Sequence, residues 1–175
     1  MLFMAWGLMA QSPVASFTAS GQAGCAPYSV NFTNTSTNAV SFSWNFGNGN
    51  FSTLQNPQNV FVNPGNFNVT LTATGANGQT STQTMAISAL PGPVTAFSLN
   101  GSVGCEDQTN FNFNNTSTGA VSVFWDFDDG TSSLQVNPTK IYNTPGSYNV
   151  SLMATNSVGC QSVFNFPQPI VIHPV

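Results

Sequence analysis

Charge is what this sequence most lacks. One basic side chain, Lys140, and five acids make 3% charged residues, against about 25% in an ordinary soluble protein. Without clustered Lys and Arg there is no surface to hold phosphates, which excludes nucleic acid as a partner, and no electrostatic grip on anionic membranes. Histidine is almost as scarce. His173, near Val175, is the only one, and with three cysteines at 25, 105 and 160 there is no His–Cys set for zinc and no nucleophile, base and orienting group. The reading is therefore of a protein that is not an enzyme, with no catalytic residue and no cofactor. Long apolar runs are missing too: MLFMAWGLMA is half the length of about 20 residues needed to span a bilayer. No segment keeps a helical period.

What is present is apolar bulk. Hydrophobic residues make up 41%, with 15 Phe and 3 Trp, enough to build packed cores and to argue against disorder. Asn, Ser, Thr and Gln occupy the surface positions that Lys and Glu usually fill, giving a neutral, polar exterior. The apolar first residues, followed by Gln11-Ser12-Pro13, read as the end of a signal peptide with cleavage after Ala10, so that residues 1–11 are a leader remnant. The alternative is an apolar first strand.

Sliding the chain over itself by 81 places lays Asn31–Gly78 on Asn112–Gly159 with nearly half the positions identical. That is an internal duplication. Trp44 falls on Trp125, Phe46 on Phe127, Gly49 on Gly130, and Pro64-Gly65 on Pro145-Gly146. Upstream, Phe17 matches Phe97 and Cys25 matches Cys105. Within each copy apolar residues alternate with small polar ones, as in Phe42-x-Trp44-x-Phe46, Phe67-x-Val69-x-Leu71 and Tyr148-x-Val150-x-Leu152, which is the period of half-buried strands. Trp44 and Trp125, at the centres of such runs, are the expected core anchors. Pro64-Gly65 and Pro145-Gly146 have the residue order of type II turns. Ala89-Leu90-Pro91-Gly92-Pro93 is a short linker, dividing the chain into module 1 over 12–90 and module 2 over 91–175.

The runs Trp125-Asp126-Phe127-Asp128-Asp129-Gly130, Asn137-Pro138 and Tyr142-Asn143-Thr144-Pro145-Gly146-Ser147-Tyr148-Asn149-Val150 resemble the pattern of PKD domains. Asp128 departs from it, standing where the family has Gly, and the first copy carries Trp44-Asn45-Phe46-Gly47-Asn48-Gly49 with both acids replaced by amides. The resemblance implies an all-β fold of two tandem immunoglobulin-like antiparallel β-sandwiches. It also implies a secreted or cell-surface setting, as in adhesins, accessory regions of secreted hydrolases and large surface proteins of gliding, Bacteroidetes-like bacteria.

In that setting Cys105 and Cys160 are expected to form a disulfide within the second module, worth about 4 kcal/mol in the chain-entropy model. Cys25 then remains a free or intermolecular thiol. Asp126, Asp128 and Asp129 are the only candidates for calcium, but the first copy builds the same turn with amides, so turn hydrogen bonds are the expected role and no metal is assigned. The Asn-x-Ser/Thr sequons reflect composition. The expected function is a non-catalytic spacer or adhesion module that contacts other protein modules or cell-surface components. Two alternatives are a carbohydrate-binding accessory module, with Phe51, Tyr28 and Phe164 as sugar platforms, and a self-assembling filament subunit, since no edge lysines guard against strand addition.

Overall fold

The computed structural model describes residues 11–175, so the proposed leader lies outside the described residues but for its final Gln11. The chain divides into two compact units between Pro91 and Gly92. The first contains β1 (Phe17–Ala19), β2 (Ala23–Cys25), β3 (Tyr28–Asn34), β4 (Ser41–Asn45), β5 (Phe51–Ser52), β6 (Gln58–Phe61), β7 (Gly65–Thr74) and β8 (Thr80–Leu90). The second contains β9 (Phe97–Leu99), β10 (Val103–Cys105), β11 (Phe111–Asn115), β12 (Ser122–Asp126), β13 (Ser132–Ser133), β14 (Thr139–Lys140), β15 (Gly146–Tyr148), β16 (Ser151–Thr155), β17 (Gln161–Asn165) and β18 (Ile170–His173). There is no helix among the described residues, and the architecture is all-β, two tandem immunoglobulin-like sandwiches.

In the first unit a sheet ordered β1-β3-β6 faces one ordered β2-β8-β7-β4-β5. Nearly all pairings are antiparallel, and β2 with β8 is the parallel exception, repeated in the second unit by β10 with β18. The second unit breaks its larger sheet into β13-β12-β16-β17 and β10-β18-β15. Two prolines explain the break. Pro167 and Pro169 fall where β8 runs uninterrupted in the first unit, and neither can donate to a ladder, so β17 ends at Asn165 and β18 begins at Ile170.

The alternating pattern places one residue in two inside. Trp44 and Trp125 are fully buried. Each indole Nε1 donates to a loop carbonyl 2.9 Å away, of Leu54 and of Gln135 respectively, so burial leaves no orphaned donor. Phe17, Phe32 and Phe46 surround Trp44, and Phe97, Phe113 and Phe127 surround Trp125. Edge-to-face pairs Phe17–Trp44 and Phe97–Trp125 have centroids 5.0 and 4.8 Å apart, the preferred geometry for ring quadrupoles.

The two Pro-Gly elements are not type II turns. A type II turn needs φ near +80° at its glycine, whereas Gly65 has φ 159° and Gly146 is not among the positive-φ glycines. Both instead begin strands directly. A Cβ on Gly65 would sit 3.2 Å from the ring of Phe67 and one on Gly146 3.3 Å from that of Tyr148, tighter than ordinary contact, so a larger residue would make each ring give by a few tenths of an ångström.

Candidate functional site

The turn between β12 and β13 collects most of the chain's charge. Asp126 accepts the Asp128 backbone N–H at 3.0 Å. Asp129 accepts both the N–H and the hydroxyl of Thr131, at 3.0 and 2.6 Å, and forms the ion pair with Lys140. Burial pushes the Asp129 carboxyl up, but the Lys140 ammonium and the Thr131 bonds outweigh it and leave the group below its ordinary value. Lys140 also lies 5.6 and 5.3 Å from the ring centroids of Phe127 and Tyr142, within cation–π range. Tyr142 donates its hydroxyl to the Phe127 carbonyl at 3.1 Å and stacks on Tyr148 at 4.2 Å. Burial, and then the Asp129 charge, push its phenol well above 10.

Asp128, the departure from the family pattern, occupies left-handed backbone with φ 63°, where the first copy has Gly47 at φ 75°. Such a conformation costs a non-glycine residue about 1 kcal/mol. Its carboxylate offsets this by accepting the Asn149 backbone N–H at 2.8 Å and the Asn149 amide at 3.3 Å. All three carboxylates are thus engaged by donors of the chain, and among the described residues no group of three His, Cys, Asp or Glu gathers at one point. The first copy builds its corner from amides. Asn45 and Asn48 accept the N–H groups of Gly47 and Asn50, while Asn59, in the place of Lys140, accepts the Asn50 amide at 2.8 Å.

The cysteine pairing expected from sequence is corrected. Cys105 carries an exposed free thiol, whereas Cys25 and Cys160 are disulfide-bonded. The geometry of the second unit explains why Cys105 cannot reach Cys160. Cys105 lies opposite His173, and the neighbouring Ile172 lies opposite Gly146, which places Cys105 at the Gly146 end of the strand pair β15–β16. Cys160 is in the hairpin that follows Thr155 at the far end. At ~3.3 Å per residue, Gly146 and Thr155 are roughly 30 Å apart, far beyond the ~7 Å that a disulfide tolerates between α-carbons.

Of the expected sugar platforms, only Phe51 stands free, 70% exposed. Tyr28 covers Gly24, whose Cβ would fall within its ring, and Phe164 packs edge-on against the core residue Phe97 at 5.4 Å. A shallow groove of about 340 Å³ in the second unit is lined by Ala120, Val121, Leu134 and Val136, with Asn115 and Ser122 among its polar walls. Sequence reasoning passed over it, because its residues come from separate loops and strand ends.

The description PKD domain matches the chain twice, over residues 10–89 and 91–166. The chain belongs to the PKD domain family. A microbial collagenase of Vibrio alginolyticus is 40% identical over 79 residues, which are 44% of this chain and 10% of that protein. Collagenase ColQ1 of Bacillus cereus is 45% identical over 42 residues, 24% of this chain and 4% of that protein. The chain thus corresponds to a small fraction of the length of the curated relatives it matches. Among solved structures, the PKD1 domain of the Vibrio cholerae metalloprotease PrtV is 34% identical, covering 46% of this chain and 99% of that one, with a TM-score of 0.41. The duplicated Trp, Asn-Pro and Pro-Gly landmarks of the sequence fall within the matched spans.

Proposed function

We propose that this chain is an extracellular, non-catalytic PKD pair that spaces and attaches a larger bacterial surface or secreted protein, making contacts with other protein modules or cell-surface components. The observation that carries this reading is that the turn acids and the lysine and tyrosine beside them are already committed to structural bonds. Asp126, Asp128, Asp129, Lys140 and Tyr142 hold one another and the backbone in a strand-connecting turn, and His173 is exposed at a strand end. The disulfide-bonded state of Cys25 and Cys160 supports an oxidising compartment. Likeness to parts of collagenases supports attachment beside a hydrolase as the setting.

Fractionation of producing cells tests the reading. The expected result is chain in the culture fluid or on the cell surface, with one titratable thiol before reduction and three after. A chain confined to the cytoplasm with three reduced thiols, or a purified chain that itself degrades collagen or gelatin, would overturn it.

A further inference from the structure

β4, β7 and β8 of the first unit match β12, β16 and β17 of the second in cross-strand register, so their outward faces can be compared position by position. In the first unit Ser43, Thr72 and Thr82 lie side by side across β4, β7 and β8. Thr53, just beyond β5, continues this row at the sheet edge. The residues 81 places on are Phe124, Met153 and Val163, side by side across β12, β16 and β17, with Leu134 just beyond β13. Four hydroxyl side chains in one copy are four apolar side chains in the other. Leu134 is 77%, Val163 59% and Phe124 37% exposed. The rows on either side stay polar: Ser122, Thr155 and Gln161 on one flank, Asp126, Ser151 and Asn165 on the other.

Folding does not explain the exchange. Threonine is already a favoured strand residue, so Met or Val in its place brings no intrinsic gain, and exposing apolar groups costs solubility. The row is also too small for a stable protein interface. Four partly exposed side chains offer a few hundred Å², against about 800 Å² per partner in a standard complex. It is narrow and long, crossing four strands over ~14 Å, and almost uncharged. A chain of sugar rings with equatorial hydroxyls has this pattern in complement, since each ring presents flat C–H faces and a hydroxyl edge. The C–H faces would lie on Phe124, Met153, Val163 and Leu134, with Phe124 as the one aromatic ring among them. The hydroxyls would meet the flanking Ser, Thr, Gln and Asn side chains.

We propose that the outer face of the second module's four-stranded sheet is a docking site for a neutral, extended polysaccharide laid across the strands along Leu134, Phe124, Met153 and Val163. This rests on the non-catalytic attachment reading and names the chemistry of what is attached to.

The test is affinity electrophoresis of the full chain in gels containing laminarin, xylan or hydroxyethylcellulose, with pull-down on insoluble cellulose and chitin. The wild type is expected to be retarded by at least one of these. The variant L134T/F124S/M153T/V163T, which installs the first module's own side chains, should lose at least tenfold in affinity with its far-UV spectrum retained. The reciprocal variant T53L/S43F/T72M/T82V should gain binding. Should the quadruple variant fail to fold, Phe124→Ser alone is expected to lose at least threefold. No retention of the wild type on any of the five polymers, equal retention of wild type and variants, or a wild-type dimer that the quadruple variant dissolves would each overturn the proposal. Those outcomes leave the extracellular reading standing, because culture-fluid location and thiol count decide that separately.

Discussion

Replacing Tyr142 by Phe tests the energetics of the charged corner, because the first module already carries Phe61 at the matching position. Tyr142 is 1% exposed and its hydroxyl has one partner shown, the Phe127 carbonyl. Losing that bond at pH 7 should cost about 1 kcal/mol, a fall of roughly 4–8 °C in the Tm of a domain this size. At high pH the balance turns. The phenol's folded pKa is raised, by burial first and then by Asp129, so its contribution is fully present below the unfolded-state pKa near 10 and drains away as pH rises above it. At pH 11 ionisation stabilises the unfolded wild-type chain by about 1.4 kcal/mol, which the folded state cannot match. Tyr142→Phe has no such loss, so the variant should equal or slightly exceed wild type there. Differential scanning calorimetry at pH 7 and pH 11 measures both differences, with the first module as internal reference. An equal Tm deficit at the two pH values would refute the burial argument.

Three further outcomes follow from the same geometry. Trp125→Ala, which empties the core and leaves the Gln135 carbonyl without its donor, should destabilise the second module by about 3 to 5 kcal/mol in urea unfolding. Asp129→Asn should cost about 1 kcal/mol or less at pH 7. Since the folded pKa of Asp129 is depressed, that difference should be lost as pH falls through the folded value, and melting curves between pH 7 and pH 2 would show the two proteins converging. Exposed Cys105 should react with a maleimide in the native state at one label per chain, identified by peptide mapping. Labelling at Cys25 or Cys160 without prior reduction would contradict the thiol assignment.

The strands and their buried faces were legible because alternation is a local signal, repeated twice in the duplication, and a Trp at the centre of an alternating run has nowhere to go but inside. Other features depend on which strands become neighbours. Spacing along the chain makes Cys105 and Cys160 look like brackets around one module, yet pairing of β10 with β18 puts them at opposite ends of it. The Pro-Gly elements have turn composition, but each opens a strand, and the aromatic ring two residues later crowds the space beside its glycine. Phe124, Met153, Val163 and Leu134 are scattered over forty positions of sequence and become a row only through cross-strand register. Asp126, Asp128 and Asp129 stand together in sequence as a turn cluster, whereas the compensation of Asp128 by Asn149 needed the fold to bring them together.

The Lys140–Asp129 ion pair has a consequence for proteolysis. Lys140 is the chain's only Lys or Arg, so a trypsin-like protease has one bond to attack, that between Lys140 and Ile141. Lys140 is held in β14 opposite Phe111, its ammonium is on Asp129 and over two rings, and the next residue but one is the buried Tyr142. A protease must bind several residues in extended form around the cut, which this corner cannot provide without local opening. The composition that leaves the surface without a field also leaves it with a single bond open to a trypsin-like protease, and the fold holds that bond closed.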